Sequence, residues 1–245
     1  MTPMRALVIE SPGRAGLGTL AEPELGEGQV LVRVRTVGFC GSDLNTFRGL
    51  NPLVSYPRVP GHEIAGIIEA TGHGVPRELR PGTLVTVVPY TACGQCSACR
   101  RGRVNTCRNN QTLGVQRDGA LTEWITLPWQ TLLPGDGLDR RELALVEPLA
   151  VGFHAVARGR VAEGDVVAVI GTGAVGLGAV AGAVRAGATV VAVDVDDAKL
   201  AMARRAGATH VVNSSTGSLH DQLQELTNGD GPDVVIEAVG LPETF

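Results

Sequence analysis

Aromatic side chains are scarce, at 3% of the 245 residues. That argues against a surface built to stack bases. A basic excess is missing as well: Lys plus Arg number 21 against 25 Asp plus Glu, for a net charge of −4. A nucleic-acid binder needs a dense basic face to displace counterions from phosphates, so no nucleic-acid partner is expected. The start, Met1-Thr-Pro-Met-Arg-Ala-Leu-Val-Ile9, reads as a strand after a short polar lead. It lacks the apolar core of an export signal, and a cytoplasmic location is expected. One uncharged run, Val166 to Val184, is long enough to raise the question of a membrane span. Glycines at 171, 173, 176, 178 and 182 punctuate it and its start is β-branched, so strand, turn and small-residue helix explain it better than lipid. The five cysteines are odd in number and come without an export signal. Metal ligation is therefore expected in place of a disulfide framework.

The residues that are abundant set the class. Hydrophobic residues make up 44% and charged ones 19%, which is globular rather than disordered. There are 33 glycines, roughly twice the usual share of about 7%. With no collagen period, they should mark turns and close backbone approaches. The length predicts one to two domains.

Two grammars follow one another along the chain. The first 150 residues or so read mainly as β. Gln29–Thr36, Thr83–Val88 and Leu121–Thr126 alternate as half-buried antiparallel strands do. Pro12-Gly13, Pro81-Gly82 and Pro134-Gly135 mark turns. Arg140 to Ala157 reads as a helix interrupted by Pro148. From Gly164 strands and helices alternate. Strands are predicted over 165–170, 189–194, 210–213 and 233–239, with helices to about 186, over 197–206 and over 219–226. That order argues for a parallel, doubly wound sheet.

Cys93, Cys96, Cys99 and Cys107 form C-x2-C-x2-C-x7-C. Four thiolates so close together close a tetrahedron around Zn²⁺ and leave no place for substrate. An iron–sulfur cluster is the rival, but the ferredoxin run has a three-residue last gap followed by Pro. Here the gap is seven and Arg108 follows, so zinc is preferred. Arg100, Arg101 and Arg103 read as a solvated flank. Elsewhere stand Cys40-Gly-Ser42-Asp43, then Gly61-His62-Glu63, then Val146-Glu147-Pro148. Thiolate, imidazole and carboxylate are all competent zinc donors, although a lone His or Cys is more often a structural residue.

Gly171-Thr172-Gly173-Ala174-Val175-Gly176 is G-x-G-x-x-G between an apolar strand and a helix, the context a dinucleotide site requires. The first glycine permits the tight turn, the second a close pyrophosphate, the third close helix–strand packing. Asp194 ends the next strand, where a carboxylate accepts ribose hydroxyls and repels a 2′-phosphate. Asp196 and Asp197 add negative charge, so NAD is favoured over NADP.

Gly61-His62-Glu63 followed by Gly66, Gly72 and Val75 resembles the zinc signature of the medium-chain zinc-dependent alcohol dehydrogenases. The Cys40–Asp43 segment, the four-cysteine lobe and the glycine turn resemble the same family in the same order, over Met4 to Phe245. The Asn51–His62 stretch looks closest to the polyol and sugar-acid branch, the sorbitol dehydrogenase-like one. The resemblance implies a GroES-like β-rich catalytic domain over 1–155, with a structural zinc lobe at 90–108, then an NAD-binding Rossmann domain over 156–245. It implies one structural zinc on the four cysteines and one catalytic zinc on Cys40 and His62, with Glu147 as third ligand. Glu63 would be a neighbouring carboxylate able to bind the metal, and Asp43 would hydrogen-bond the other nitrogen of His62. The implied reaction is oxidation of a secondary alcohol by NAD, with Ser42 taking the hydroxyl proton.

Two departures stand out. Many relatives have a histidine three residues after this serine, where the chain has Asn45, which is no base near neutral pH. His154 and His210 match no relay position and read as structural. Relatives also continue for roughly a hundred residues past the equivalent of Phe245, completing a six-stranded sheet. A truncated chain is therefore expected, with Val234–Val239 left as an apolar edge. Full-length relatives are oligomeric, and the state of this chain is left open. Threonine or glucose dehydrogenase is an alternative within the same mechanism. A zinc- and nucleotide-binding fragment without turnover is a third reading.

Overall fold

The computed structural model describes residues 3–244. The chain divides into two compact units, Met1–Glu147 and Pro148–Phe245. The first is β-rich. A hairpin of β1 (Pro3–Ser11) and β2 (Arg14–Ala21) turns at Pro12-Gly13. After it come β3 (Gln29–Gly38), helix α1 (Gly41–Arg48), β4 (Glu63–Thr71) and β5 (Leu84–Val87). A one-turn helix α2 (Ser97–Arg100), β6 (Trp124–Pro128), β7 (Leu132–Pro134) and helix α3 (Arg140–Arg158) follow. Five of these strands form an antiparallel sheet in the order β6-β3-β4-β5-β7.

The alternation read from the sequence sets which face of that sheet is buried. Val30 and Val32 are fully buried, while Arg33 and Arg35 face solvent. They join Ile64, Ile68, Val85, Leu113 and Leu127 in one core. The strand expected at Leu121–Thr126 begins instead at Trp124. Its first residues are taken by another partner: Leu121 C=O accepts from Leu7 N–H of β1 at 2.8 Å, and Thr122 bridges to Ala6. The chain then changes partner and pairs with β3 from Trp124 onward.

Pro148 does not interrupt α3, contrary to the expectation; the helix runs through it. A proline inside a helix removes one backbone bond and costs about 3 kcal/mol. Burial offsets that cost: Leu143 and Ala144 pack on Ala65, and Pro148 itself is buried.

The second unit contains β8 (Val166–Ile170), α4 (Ala174–Arg185), β9 (Thr189–Asp194), α5 (Asp197–Arg205), β10 (His210–Asn213), α6 (Leu219–Leu226) and β11 (Val234–Glu237). All pairings in this sheet are parallel, in the order β10-β9-β8-β11. Counted within the sheet that is 3-2-1-4, the first part of the doubly wound Rossmann order. The apolar runs are strands buried on both faces, with Val167, Val169, Val190 and Ala192 fully buried. β11 stops at Glu237 and does not run on to Val239 as expected. The Glu237 carboxylate accepts from the N–H groups of Val239 and Gly240 at 2.7 and 2.8 Å and folds the chain into a turn. Among the described residues no helix is long and apolar enough to cross a membrane.

Within this unit α3 and α4 approach at backbone distance. A Cβ on Gly152 would lie 2.3 Å from Ala179 N, and one on Gly178 would lie 2.8 Å from Leu149 O. Gly152→Ala should destabilise the fold by about 1–3 kcal/mol through overpacking. In thermal unfolding it should lower Tm by roughly 2–4 °C per kcal/mol; an unchanged Tm would contradict the packing.

Candidate functional site

Two segments of the first unit converge through one carboxylate. Cys40 caps the N-terminus of α1, and Asp43 sits at the third helical position. Asp43 is 1% exposed. Its Oδ2 accepts from Cys40 N–H and its Oδ1 from Gly61 N–H, each at 3.0 Å. The first bond is half of a capping box, with the side chain reaching back to the cap amide. The second crosses to the turn that presents His62. That turn requires glycine, because Gly61 has φ +100 and a Cβ there would press on Val37 and the Leu121 amide.

The result is a cluster in which one donor atom each of Cys40, His62 and Glu63 lies within 4.8 Å of the other two. His62 and Glu63 are each 6% exposed. Room for the Glu63 carboxylate comes from Gly38, where a Cβ would stand 1.9 Å from Glu63 Oε2. Ser42 Oγ is 3.5 Å from His62 Nε2. Asp43 Oδ1 is 3.7 Å from His62 Nδ1, beyond hydrogen-bond length, and that buried nitrogen has no partner. At that distance the hydrogen bond expected between these two residues is not made, and they face each other as a longer ion pair. Glu147 is not in the cluster. Its Oε1 accepts from Tyr90 Oη at 3.0 Å. Asn45 is exposed on α1.

The charges explain why such a cluster suits a cation. Burial by itself would push His62 down, but the Cys40 hydrogen bond and the charges of Asp43, Cys40 and Glu147 outweigh it and raise it to about 9. Burial raises Glu63 above its usual range, with His62 pulling the other way. Burial and then Glu147 push Tyr90 up to about 12, so its hydroxyl stays a donor. Soft thiolate, imidazole and carboxylate in one pocket, with a buried ring nitrogen unpartnered, fit Zn²⁺.

The four-cysteine lobe brings its sulfurs equally close. One ligand atom from each of Cys93, Cys96, Cys99 and Cys107 lies within 4.8 Å of the rest. Cys96 Sγ is 3.5 Å from Cys99 Sγ and 3.9 Å from Cys107 Sγ. Backbone amides point at the sulfurs: Cys93 N–H donates to Cys107 Sγ and Cys96 N–H to Cys93 Sγ, both at 3.4 Å. Backbone donation from Cys99 and Arg108 draws Cys96 down to about 6, whereas local desolvation pushes Cys99 up to about 11. Four sulfurs this close, with backbone amides aimed at two of them, fit a closed structural zinc site.

In the second unit the glycine turn is built as its spacing suggests. Gly171 has φ +89, and a Cβ on Gly176 would lie 1.8 Å from Gly171 O. A Cβ on Gly173 would meet no protein atom, so packing does not explain that glycine. Gly173 caps α4 without a side-chain bond, whereas Asp196 and Ser218 cap α5 and α6. Thr172 belongs to this turn and its amide is taken by Asp194, whereas Ala174 and Val175 begin α4 with no cap side chain, which leaves their amides for an anion. Asp194 is 8% exposed. Its Oδ2 accepts from Thr172 N–H and Oγ–H, and its Oδ1 from the amides of Val195 and Asp196. Those bonds hold it below the usual carboxylate range, against the opposing effect of burial. A ribose hydroxyl would have to replace one of them.

Residues 26–137 match the alcohol dehydrogenase GroES-like domain, and residues 174–245 match the zinc-binding dehydrogenase family. The chain is 38% identical to sorbitol dehydrogenase of Bacillus subtilis, over 98% of its own length and 69% of that protein's. The chain belongs to the zinc-type alcohol dehydrogenase family. It is 37% identical to L-galactonate-5-dehydrogenase of Escherichia coli, covering 98% of this chain and 70% of that one. A Sinorhizobium meliloti zinc-binding dehydrogenase solved with NADP superposes with a TM-score of 0.91 at 35% identity, covering all of this chain and 72% of its own. An Escherichia coli CFT073 alcohol dehydrogenase complexed with NADH gives 0.89 at 32%, covering 99% and 71%.

Tyr90 and Gly38 escaped sequence reasoning. Tyr90 is 57 residues from Glu147, and nothing in the pattern links them. Gly38 carried a usable signal, because a glycine inside a strand often marks the close approach of another group.

The electrostatics make a direct prediction for the metal-free protein. His62 stands above its ordinary 6.5, at about 9. Its stabilising contribution is complete below pH 6.5 and is lost as the pH rises through 9. An NMR titration of the His62 ring should show a midpoint near 9; a midpoint near 6.5 would contradict the arrangement.

Proposed function

We propose that the chain is a zinc dehydrogenase that oxidises a secondary alcohol of a polyol or sugar acid with NAD. The observation that carries this reading is the convergence of Cys40, His62 and Glu63 in one buried cluster. A second zinc on the four cysteines would hold the lobe without taking part in chemistry. When bound, zinc supplies the Lewis acid that acidifies an alcohol, and NAD the acceptor for its hydride.

The remaining work falls to side chains of this chain. Cys40, His62 and Glu63 hold the metal, and Asp43 locks the two backbone segments that carry them. Ser42 Oγ, beside the imidazole, takes the hydroxyl proton and passes it outward. Asn45 cannot continue the transfer as a base, so the relay leads to solvent. The uncapped N-terminus of α4 receives the pyrophosphate, and Gly173 lets it approach. Asp194, Asp196 and Asp197 disfavour a 2′-phosphate, so NAD is preferred although one related structure holds NADP. The likeness to sorbitol and L-galactonate dehydrogenases supports this substrate class. Five cysteines with no disulfide among the described residues fit a reducing compartment such as the cytoplasm.

The test is NADH formation over a panel of polyols, sugar acids and threonine, repeated with NADP. Turnover of a polyol or sugar acid with NAD is expected. Turnover of threonine alone, or a preference for NADP, would overturn the corresponding part, and two bound zincs without turnover would overturn the activity. Ser42→Ala should slow oxidation about 100-fold, the low end for a proton-transfer group, and Asn45→Ala by less than about threefold. Equal losses would contradict the relay.

A further inference from the structure

Two acidic side chains bear on this site, Glu63 and Glu147, and they are held differently. Glu63 is inside the donor cluster. Glu147 is outside it, with Oε1 engaged by the phenol of Tyr90. Both ends of that tether are fixed to the same unit. The segment carrying Tyr90 is pinned on each side: Val88 N–H donates to Thr131 O at 2.8 Å, and Leu113 N–H to Pro89 O at 3.0 Å. Thr91 N–H donates to Asn110 Oδ1 at 3.1 Å, and Gln111 N–H to Thr91 Oγ1 at 2.8 Å. Glu147 rides on α3 one turn beyond Leu143 and Ala144, which pack against Ala65. The backbone is held at both ends, so the bond restrains the carboxylate.

We propose that Tyr90 is a positioning residue that keeps Glu147 off the metal and leaves the carboxylate place to Glu63. The inference rests on the reading of Cys40, His62 and Glu63 as metal ligands. A glutamate that joined the metal would add a donor and close the coordination place the substrate needs. A phenol suits this restraint because it donates one hydrogen bond to the carboxylate and offers no competing charge.

The test uses cobalt as the probe, bound to the full chain with zinc left in the four-cysteine lobe. Visible absorption reports coordination number, and competition with a chelator reports affinity. Tyr90→Phe keeps the ring and removes only the donor. It should weaken the visible band as Glu147 adds a donor, and should tighten cobalt binding about tenfold, the scale of outer-shell effects on metal affinity. In a Glu147→Gln background the same change should alter neither readout. An unchanged spectrum in Tyr90→Phe would overturn the proposal. So would a change that persists in Glu147→Gln, because a general packing role would survive loss of the carboxylate. If the unaltered chain, its lobe filled with zinc, takes up no cobalt, the ligand reading itself fails, and that outcome is distinct from the other two.

Discussion

The buried carboxylate of Asp43 is the constraint on which the cluster depends. It ties the amide of Cys40 to the amide of Gly61 and so joins two segments that lie 21 residues apart in the chain. A hydrogen bond to a charged group contributes about 1.5–3 kcal/mol net, and leaving a buried donor without a partner costs about 1–3 kcal/mol. Without Asp43 two such donors would be stranded at once. The same arrangement leaves His62 Nδ1 3.7 Å from the nearest Asp43 oxygen and without a hydrogen-bond partner. Charge gathered around the ring then makes the imidazole unusually basic, and the cluster attractive to a cation.

The two units solve their binding problems by different means. The first recruits side chains from distant strands and turns, and relies on small residues such as Gly38 and Gly61 for space. The second relies on backbone: a tight turn, a helix brought close by Gly176, and an N-terminus whose amides no side chain has claimed. Asp194 belongs to that backbone design, since Thr172 binds its carboxylate through both amide and hydroxyl. Its charge is thereby fixed at the end of β9, beside the turn.

What was legible in the sequence was local. The four cysteines span 15 residues, so their spacing alone nearly dictates the lobe. The glycine turn and its flanking apolar strand are equally short-range, and the parallel sheet followed from the alternation of strand and helix. Less legible were features set by competition between distant partners. Leu121 pairs with β1 before its strand joins β3, so the alternation was visible but the boundary was not. Pro148 signals a break when α3 is read alone, yet burial on either side carries the helix through. Glu147 could be placed near a metal only by likeness to a family, and its engagement with Tyr90 depends on a fold that no pattern encodes.

We propose that Cys40 and His62 share a metal ion distinct from the one in the cysteine lobe. Anomalous diffraction at the zinc edge, from crystals of the zinc-loaded chain, should then show two peaks per chain: one among the four sulfurs of the lobe, the other within bonding distance of the Cys40 thiolate and the His62 ring. A peak in the lobe with none at Cys40 would rule the shared ion out.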